Sequence, residues 1–324
     1  MRNFSPLLYS IFSSRILSTV LALLAVLFSL QGYVMKSSKP QTRYISTGRS
    51  TSGSENDLRG YRPTVYTPSV GAVYVTHRRP KAFLHAMTAF RAAYPEGDIV
   101  ILCDKGCHNY SKAAKHFGAT YFDDPRQLST KQSGAIYVGR EEAKAFVSSY
   151  RDAVNLIKNP YWMQLEDDVF VIKRIPQLPF QINGWAPDKH VKNEAERYVR
   201  SITKDMTKEL KLGGFGGCVY ETKFWRSVFN DKNLGDFVKG YFDAGVNGVG
   251  QDYLYSSILY ARNGTMGPME GYVERFHDDL VMKLAMGKVT VFHGFKDLYN
   301  DVSAETALTD DDLQILGDNW ISKE

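Results

Sequence analysis

Tyr161-Trp162-Met163-Gln164-Leu165-Glu166-Asp167-Asp168-Val169-Phe170-Val171 sets three consecutive carboxylates between two short apolar runs. Such a run reads as a buried strand whose end delivers acidic side chains to a cleft. Adjacent carboxylates repel one another unless a cation sits among them, and hard divalent ions such as Mg²⁺ or Mn²⁺ prefer oxygen ligands. The economical reading is a metal site. A solvated acidic turn is the alternative, but a surface turn has no need of apolar residues on both sides.

Upstream, Gly71-Ala72-Val73-Tyr74-Val75-Thr76 reads as a buried strand, His77-Arg78-Arg79-Pro80 as a turn, and the next residues as a helix with Phe83, Leu84, Met87 and Phe90 on one face. Asp98-Ile99-Val100-Ile101-Leu102-Cys103-Asp104 is a second strand closing on an acid. A short helix over 111–117 and a third strand over 119–122 follow. The spacing of Ala143, Phe146, Val147, Tyr150, Val154 and Ile157 predicts a helix over 139–158, packed on a sheet and stopped by Asn159-Pro160. Strand and helix alternate, which predicts an α/β fold with a mainly parallel sheet. Ligands bind such sheets outside the carboxyl ends of the strands, where His77, Arg78, Asp104 and the acidic triplet all fall.

Downstream, 175–187 reads as loop with three prolines, 191–212 as a charged amphipathic helix, and 272–286 as another helix holding His277-Asp278-Asp279. Gly213-Gly214-Phe215-Gly216-Gly217 permits close backbone approach, but its spacing is not that of a P-loop and no Lys-Ser/Thr follows. Asp252 opens a helix over 253–262, where a carboxylate can cap backbone N–H groups. Alternation in Val289-Thr290-Val291-Phe292-His293-Gly294 puts Val289, Val291 and His293 on one side of a strand. The acids at 310–312 read as a helix start.

In this order of strand-end acids, glycines, Asp252 and His293, residues 70–300 resemble the GT-A glycosyltransferases, whose DXD or EDD motif holds Mn²⁺ against the diphosphate of a nucleotide sugar. The resemblance implies a Rossmann-like GT-A fold with Asp168 as a direct ligand of Mn²⁺ or Mg²⁺ and His293 as a second. It implies that Glu166 and Asp167 contact ribose or order the site, that Asp104 binds the base or ribose, and that Gly216 and Gly217 lie beneath the donor sugar. Thr76, His77 and Arg78 complete the implied nucleotide site. Asp252 would be the base of an inverting transfer to an acceptor hydroxyl on a glycan or glycoprotein. Gln251 departs from the family's pattern, which has an acid before that aspartate. Two other readings stay open. A metal-dependent nucleotidyltransferase would use the same sheet and acids, although Val75-Thr76-His77-Arg78 has no glycine for a phosphate loop. A membrane-tethered carbohydrate-binding protein would need neither Asp168 nor Asp252.

The 324 residues carry a formal net charge of +5, but the excess is local. Residues 1–70 hold eight Lys/Arg against Glu55 and Asp57, leaving 32 basic against 33 acidic residues beyond, so no nucleic-acid-binding surface is indicated. Residues 16–35 are uncharged and almost wholly apolar. Twenty helical residues at about 1.5 Å each span roughly 30 Å, the thickness of a bilayer core, and no good cleavage site follows Leu30. The expected organisation is a tail (1–15), a signal anchor (16–35), a flexible Ser/Thr/Gly/Pro/Arg-rich stem (36–69) and a catalytic domain (70–324). The resemblance implies a type II membrane protein of the Golgi or another secretory membrane, with that domain lumenal. The sequons Asn109-Tyr110-Ser111 and Asn263-Gly264-Thr265 agree with a lumenal domain. In an oxidising lumen a Cys103–Cys107 bridge would leave Cys218 buried and unbridged.

Overall fold

Among the described residues, seven strands form the central sheet of the chain, seen here in a computed structural model. The structure describes most residues from Thr67 to His293; residues 1–66, 77–79, 104–109, 124–139, 192, 205–206, 208, 215, 247–250, 275–286 and 294–324 lie outside the described residues. The expected anchor, the stem up to residue 66 and the tail helix therefore fall outside them. Among the described residues no helix is long and apolar enough to cross a membrane.

The elements run β1 (Val70–Thr76), α1 (Pro80–Ala93), β2 (Ile99–Cys103), α2 (Ser111–His116), β3 (Thr120–Asp123), α3 (Arg140–Leu156), β4 (Tyr161–Leu165) and β5 (Val169–Val171). They continue with β6 (Ile182–Asn183), β7 (Trp185–His190), α4 (Asn193–Thr203), β8 (Lys211–Gly213), β9 (Val219–Glu221), α5 (Thr222–Phe229), α6 (Leu234–Asp243) and α7 (Gln251–Ala261). Three short strands close the set: β10 (Met266–Gly267), β11 (Tyr272–Glu274) and β12 (Val291–His293).

The sheet order is β10-β6-β9-β4-β1-β2-β3. β1 pairs in parallel with β2 and β4, β2 with β3, and β6 with β10, while β9 runs antiparallel between β4 and β6. The expectation of a mainly parallel α/β sheet holds. Both faces of β1 are covered, which accounts for its unbroken apolar run. Ala72 and Tyr74 pack with Phe83, Met87 and Phe90 of α1, whereas Val73 packs with Phe146, Tyr150 and Val154 of α3. On the α3 side Trp162 stacks on Tyr220, its partner across β4 and β9, at 4.2 Å between ring centroids and 8° between planes.

Arg91, in the last turn of α1, joins that helix to α2. Its guanidinium donates to the carbonyls of Tyr94 (3.4 Å), Pro95 (2.9 Å), Gly97 (2.8 Å) and Phe117 (2.6 Å). Substituting Arg91→Ala strands several half-buried carbonyls and should lower stability by about 1–3 kcal/mol, read as a lower urea midpoint at unchanged slope. An unmoved midpoint would mean that water replaces the guanidinium at no cost.

Four expectations need correction. The helix expected over 191–212 is only α4, flanked by β7 and β8, which pair antiparallel. It stops at Lys204, whose φ of 56° leaves the right-handed region. Val191 N then donates to Leu210 O, and the apolar residues at 210 and 212 continue a hairpin instead of a helix face. The stretch expected as loop over 175–187 contains β6 and the start of β7. Tyr272–Glu274, expected to begin a helix, is β11, parallel to β12; His277-Asp278-Asp279 lies outside the described residues. Finally, α7 begins at Gln251, so Asp252 sits inside the first turn instead of before it.

Candidate metal centre

The acidic triplet occupies the turn between β4 and β5, closed by Val169 N donating to Glu166 O at 3.1 Å. β4 is the fourth parallel strand of the sheet's core, so its carboxyl end lies beside that of β1. β5 pairs antiparallel with β12, and Val169 sits opposite His293 in that register. The pairing brings a histidine 125 positions further along the chain to the carboxylates.

Alternation about the turn separates the three acids. Asp167 turns away, where it accepts a short hydrogen bond from the buried Tyr74 hydroxyl of β1. Glu166 and Asp168 meet His293. Its Nε2 lies 3.7 Å from Asp168 Oδ1 and 3.9 Å from Glu166 Oε2. The Asp168 side chain is fully buried, whereas those of His293 and Glu166 are 14% and 30% exposed. One ligand atom from each lies within 4.8 Å of the other two.

Two amides fix Glu166. Gln164 Nε2 donates to its Oε1 at 2.5 Å and Gln251 Nε2 to the same oxygen at 2.9 Å. Gln164 is fully buried and is itself oriented by the Tyr220 hydroxyl, which donates to its Oε1 at 3.1 Å. Burial first, and the Glu166 charge among the lesser causes, holds the Tyr150 and Tyr220 phenols well above their ordinary range, so both remain neutral. With Oε1 doubly occupied, Oε2 is the oxygen turned to Asp168 and His293.

The glycine-rich segment closes over this group. A Cβ on Gly216 would lie 2.9 Å from Glu166 Cδ and from His293 Cδ2 and Nε2, closer than real side chains approach. Gly217 has φ of 79° and passes its backbone N–H to Gln164 O at 2.7 Å, so the segment extends the β9 edge alongside β4.

The donor set suits a divalent ion. Two ligands at roughly 2.1 Å from a common ion lie about 3–4.2 Å apart, depending on the angle between them, and the observed 3.7 and 3.9 Å fall in that range. Two carboxylate oxygens with one imidazole nitrogen favour Mn²⁺ over soft metals, which would draw thiolates. Two carboxylates this close repel one another, and a cation between them offsets that repulsion.

The remaining expected site residues divide in two. Thr76 ends β1 with its hydroxyl buried and without a hydrogen-bond partner among the described residues. Asp252 follows Gln251 in the first turn of α7, partly exposed, and its Cα lies 3.8 Å from the position a Gly214 Cβ would take. His77, Arg78 and Asp104 lie outside the described residues. Cys103 is disulfide-bonded and Cys218 is a buried thiol donating to Gly184 O at 3.3 Å, while Cys107 is not among the described residues. Sequence reading missed the hold of Gln164 and Gln251 on Glu166; a glutamine in the middle of a buried strand was the available signal, since a buried amide needs partners.

The fold and this group define a mixed α/β protein with a candidate divalent-metal site at the carboxyl edge of a mostly parallel sheet. No family model matches the chain, and no curated protein matches it. Among solved structures it is similar to the galactosyltransferase LgtC in complex with donor and acceptor sugar analogs, at 14% identity and a TM-score of 0.43 over 74% of this chain and 98% of that one. It is also similar to the apo WbbM bifunctional glycosyltransferase (12%, TM-score 0.43, 74% of this chain and 47% of that one). The glycosyltransferase GlyE of Streptococcus pneumoniae TIGR4 in its apo form follows at 12% and 0.37, over 70% and 54%. At these scores the site's chemistry rests on the chain's own residues.

Proposed function

We propose that the chain is a metal-dependent glycosyltransferase that moves a sugar from a nucleotide-diphosphate donor, UDP-linked, to an acceptor hydroxyl on a glycan or glycoprotein. The observation that carries this reading is the Glu166–Asp168–His293 group beneath Gly216 at the carboxyl end of β4. Asp168 and His293 would hold Mn²⁺ or Mg²⁺, with Glu166 Oε2 as a third ligand. When bound, the ion neutralises the diphosphate as the glycosidic bond breaks. Thr76, His77, Arg78, Asp104 and Asp167 belong to the nucleotide side of this reading, and Gly216 and Gly217 lie beneath the donor sugar in it. The N-terminal apolar stretch would tether the enzyme as a type II protein in a secretory membrane, with residues 70–324 lumenal.

In the transfer itself the acceptor oxygen bonds to the anomeric carbon while that carbon's bond to the diphosphate oxygen breaks. The bonding pair leaves with the diphosphate, and the hydroxyl proton passes to the Asp252 carboxylate. The first test is thermal unfolding of the full-length chain with UDP, GDP or CMP and their sugars, in Mn²⁺ or EDTA. Stabilisation by one nucleotide that requires Mn²⁺ is expected; no shift with any of them would favour a non-catalytic protein. Substituting Asp252→Asn should then cost roughly 10²–10⁴-fold in transfer rate without weakening nucleotide binding. A product of retained configuration would remove Asp252 from the role of base.

A further inference from the structure

The sequon Asn263-Gly264-Thr265 forms the turn that ends α7, and its geometry is that of a Schellman cap. Asn263 has a φ of 55°, in the left-handed region. Its N–H donates to Tyr260 O at 3.1 Å and that of Gly264 to Leu259 O at 2.8 Å, the two bonds that satisfy the last carbonyls of the helix. Glycine is the usual residue at this position because it bears no steric cost there, so the turn alone does not call for an asparagine. The two residues that follow are fixed by packing. A Cβ on Gly264 would collide with Leu259 Cδ1 and lie 2.9 Å from Phe224 Cζ. Thr265 donates its N–H, at 2.9 Å, and its hydroxyl to Gln181 Oε1, and its carbonyl accepts from Ile182 N of β6 at 3.1 Å. Asn263 itself is exposed. We propose that Asn263 carries an N-linked oligosaccharide.

The proposal rests on the lumenal placement of residues 70–324 and goes beyond it, since an occupied acceptor needs a hydroxyl residue two positions on and surface room for a bulky glycan. In the transfer, Asn263 Nδ2 bonds to the anomeric carbon of an oligosaccharide carried on a lipid diphosphate. That carbon's bond to the diphosphate breaks, the electron pair leaves with the lipid diphosphate, and one amide proton passes to the transferring enzyme. The step precedes closure of the turn, because the folded chain engages the Thr265 hydroxyl with Gln181. The glycan's place is clear of the candidate metal centre. α7 starts at Gln251, whose amide holds Glu166, and its 11 residues at about 1.5 Å each set Asn263 roughly 16 Å away along the helix. The other sequon begins at Asn109, outside the described residues, and nothing is built on it.

The test uses the full-length chain made in cultured eukaryotic cells. Closed membrane vesicles from those cells are treated with external protease, then opened and digested with peptide-N-glycosidase, and the peptide holding Asn263 is weighed by mass spectrometry. The catalytic domain is expected to be protected, and its Asn263 peptide to show the asparagine-to-aspartate conversion that the glycosidase leaves where it removes a glycan. Asn263→Gly, chosen because glycine suits the left-handed position, should lose the mass of one glycan relative to wild type. A protected domain whose Asn263 peptide is unmodified overturns the proposal and leaves the lumenal placement standing. So does an Asn263→Gly chain with the glycan content of wild type. A domain that the external protease digests overturns the proposal and the lumenal placement together.

Discussion

Asp168→Asn is expected to abolish Mn²⁺-dependent stabilisation and to reduce sugar transfer by roughly 10³-fold or more, while leaving the metal-free protein at least as stable as wild type. The three outcomes follow from one fact, the complete burial of this carboxylate beside Glu166 and His293. A buried anion next to another anion costs free energy that only a cation or proton can offset. Replacing it by an amide of nearly the same shape removes the repulsion together with the ligand. Wild type at a hundred times its dissociation constant should gain about 2.7 kcal/mol from Mn²⁺, and the variant should gain nothing. The loss in rate corresponds to about 4 kcal/mol of transition-state stabilisation, the scale a metal supplies to a leaving diphosphate. Paired melts in Mn²⁺ and EDTA give the answer. A variant that melts far below wild type in EDTA would show that Asp168 is part of the framework, with its charge already balanced by the protein.

Much of the frame around this site was legible because its elements are long or repetitive. β1 and β2 are unbroken apolar strands, and α3 repeats its buried face over four turns, a signal that survives local noise. The acid triplet and His293 were visible for a different reason: charged and imidazole side chains stand out where their neighbours are apolar. What escaped were the elements too short to show any period. β6 and β10 have two residues each, and β11 three, so their strand character comes entirely from partners far along the chain. The β7–β8 hairpin was hidden by α4 between its strands, whose strong amphipathic spacing invites extension in both directions. The amide clamp on Glu166 was invisible for a related reason. Gln164 lies two residues from Glu166, but Gln251 lies 85 away, and only the fold sets them on one oxygen.

Gly216→Ala is the second decisive substitution, because it changes space and leaves backbone conformation alone. Gly216 is not among the residues with positive φ, so alanine can adopt its backbone without strain. The three atoms nearest the added methyl belong to two side chains, Glu166 and His293, at 2.9 Å. Both need to swing aside by only a few tenths of an ångström, a shift Glu166 can make without leaving its two amide donors, so metal-free stability should change by no more than about 1 kcal/mol. Swinging aside, however, separates the ligands. Displacements well below an ångström at a metal or reacting centre cost on the order of 10- to 100-fold, and Mn²⁺ affinity and transfer rate should both fall by about that factor. Gly217→Ala provides the contrast one residue later. There φ is 79° and the methyl would meet Val291 Cγ1 at 2.8 Å, in the packed core beneath the site. That variant should lose roughly 1–3 kcal/mol of stability in EDTA. If the two variants instead behave alike, both destabilised with Mn²⁺ affinity intact, the glycines serve the packing of β9 against β5 and β12 and the space over Glu166 and His293 has no ligand to admit. If they divide as expected, Gly216 is there because the centre it covers has to be filled by an ion.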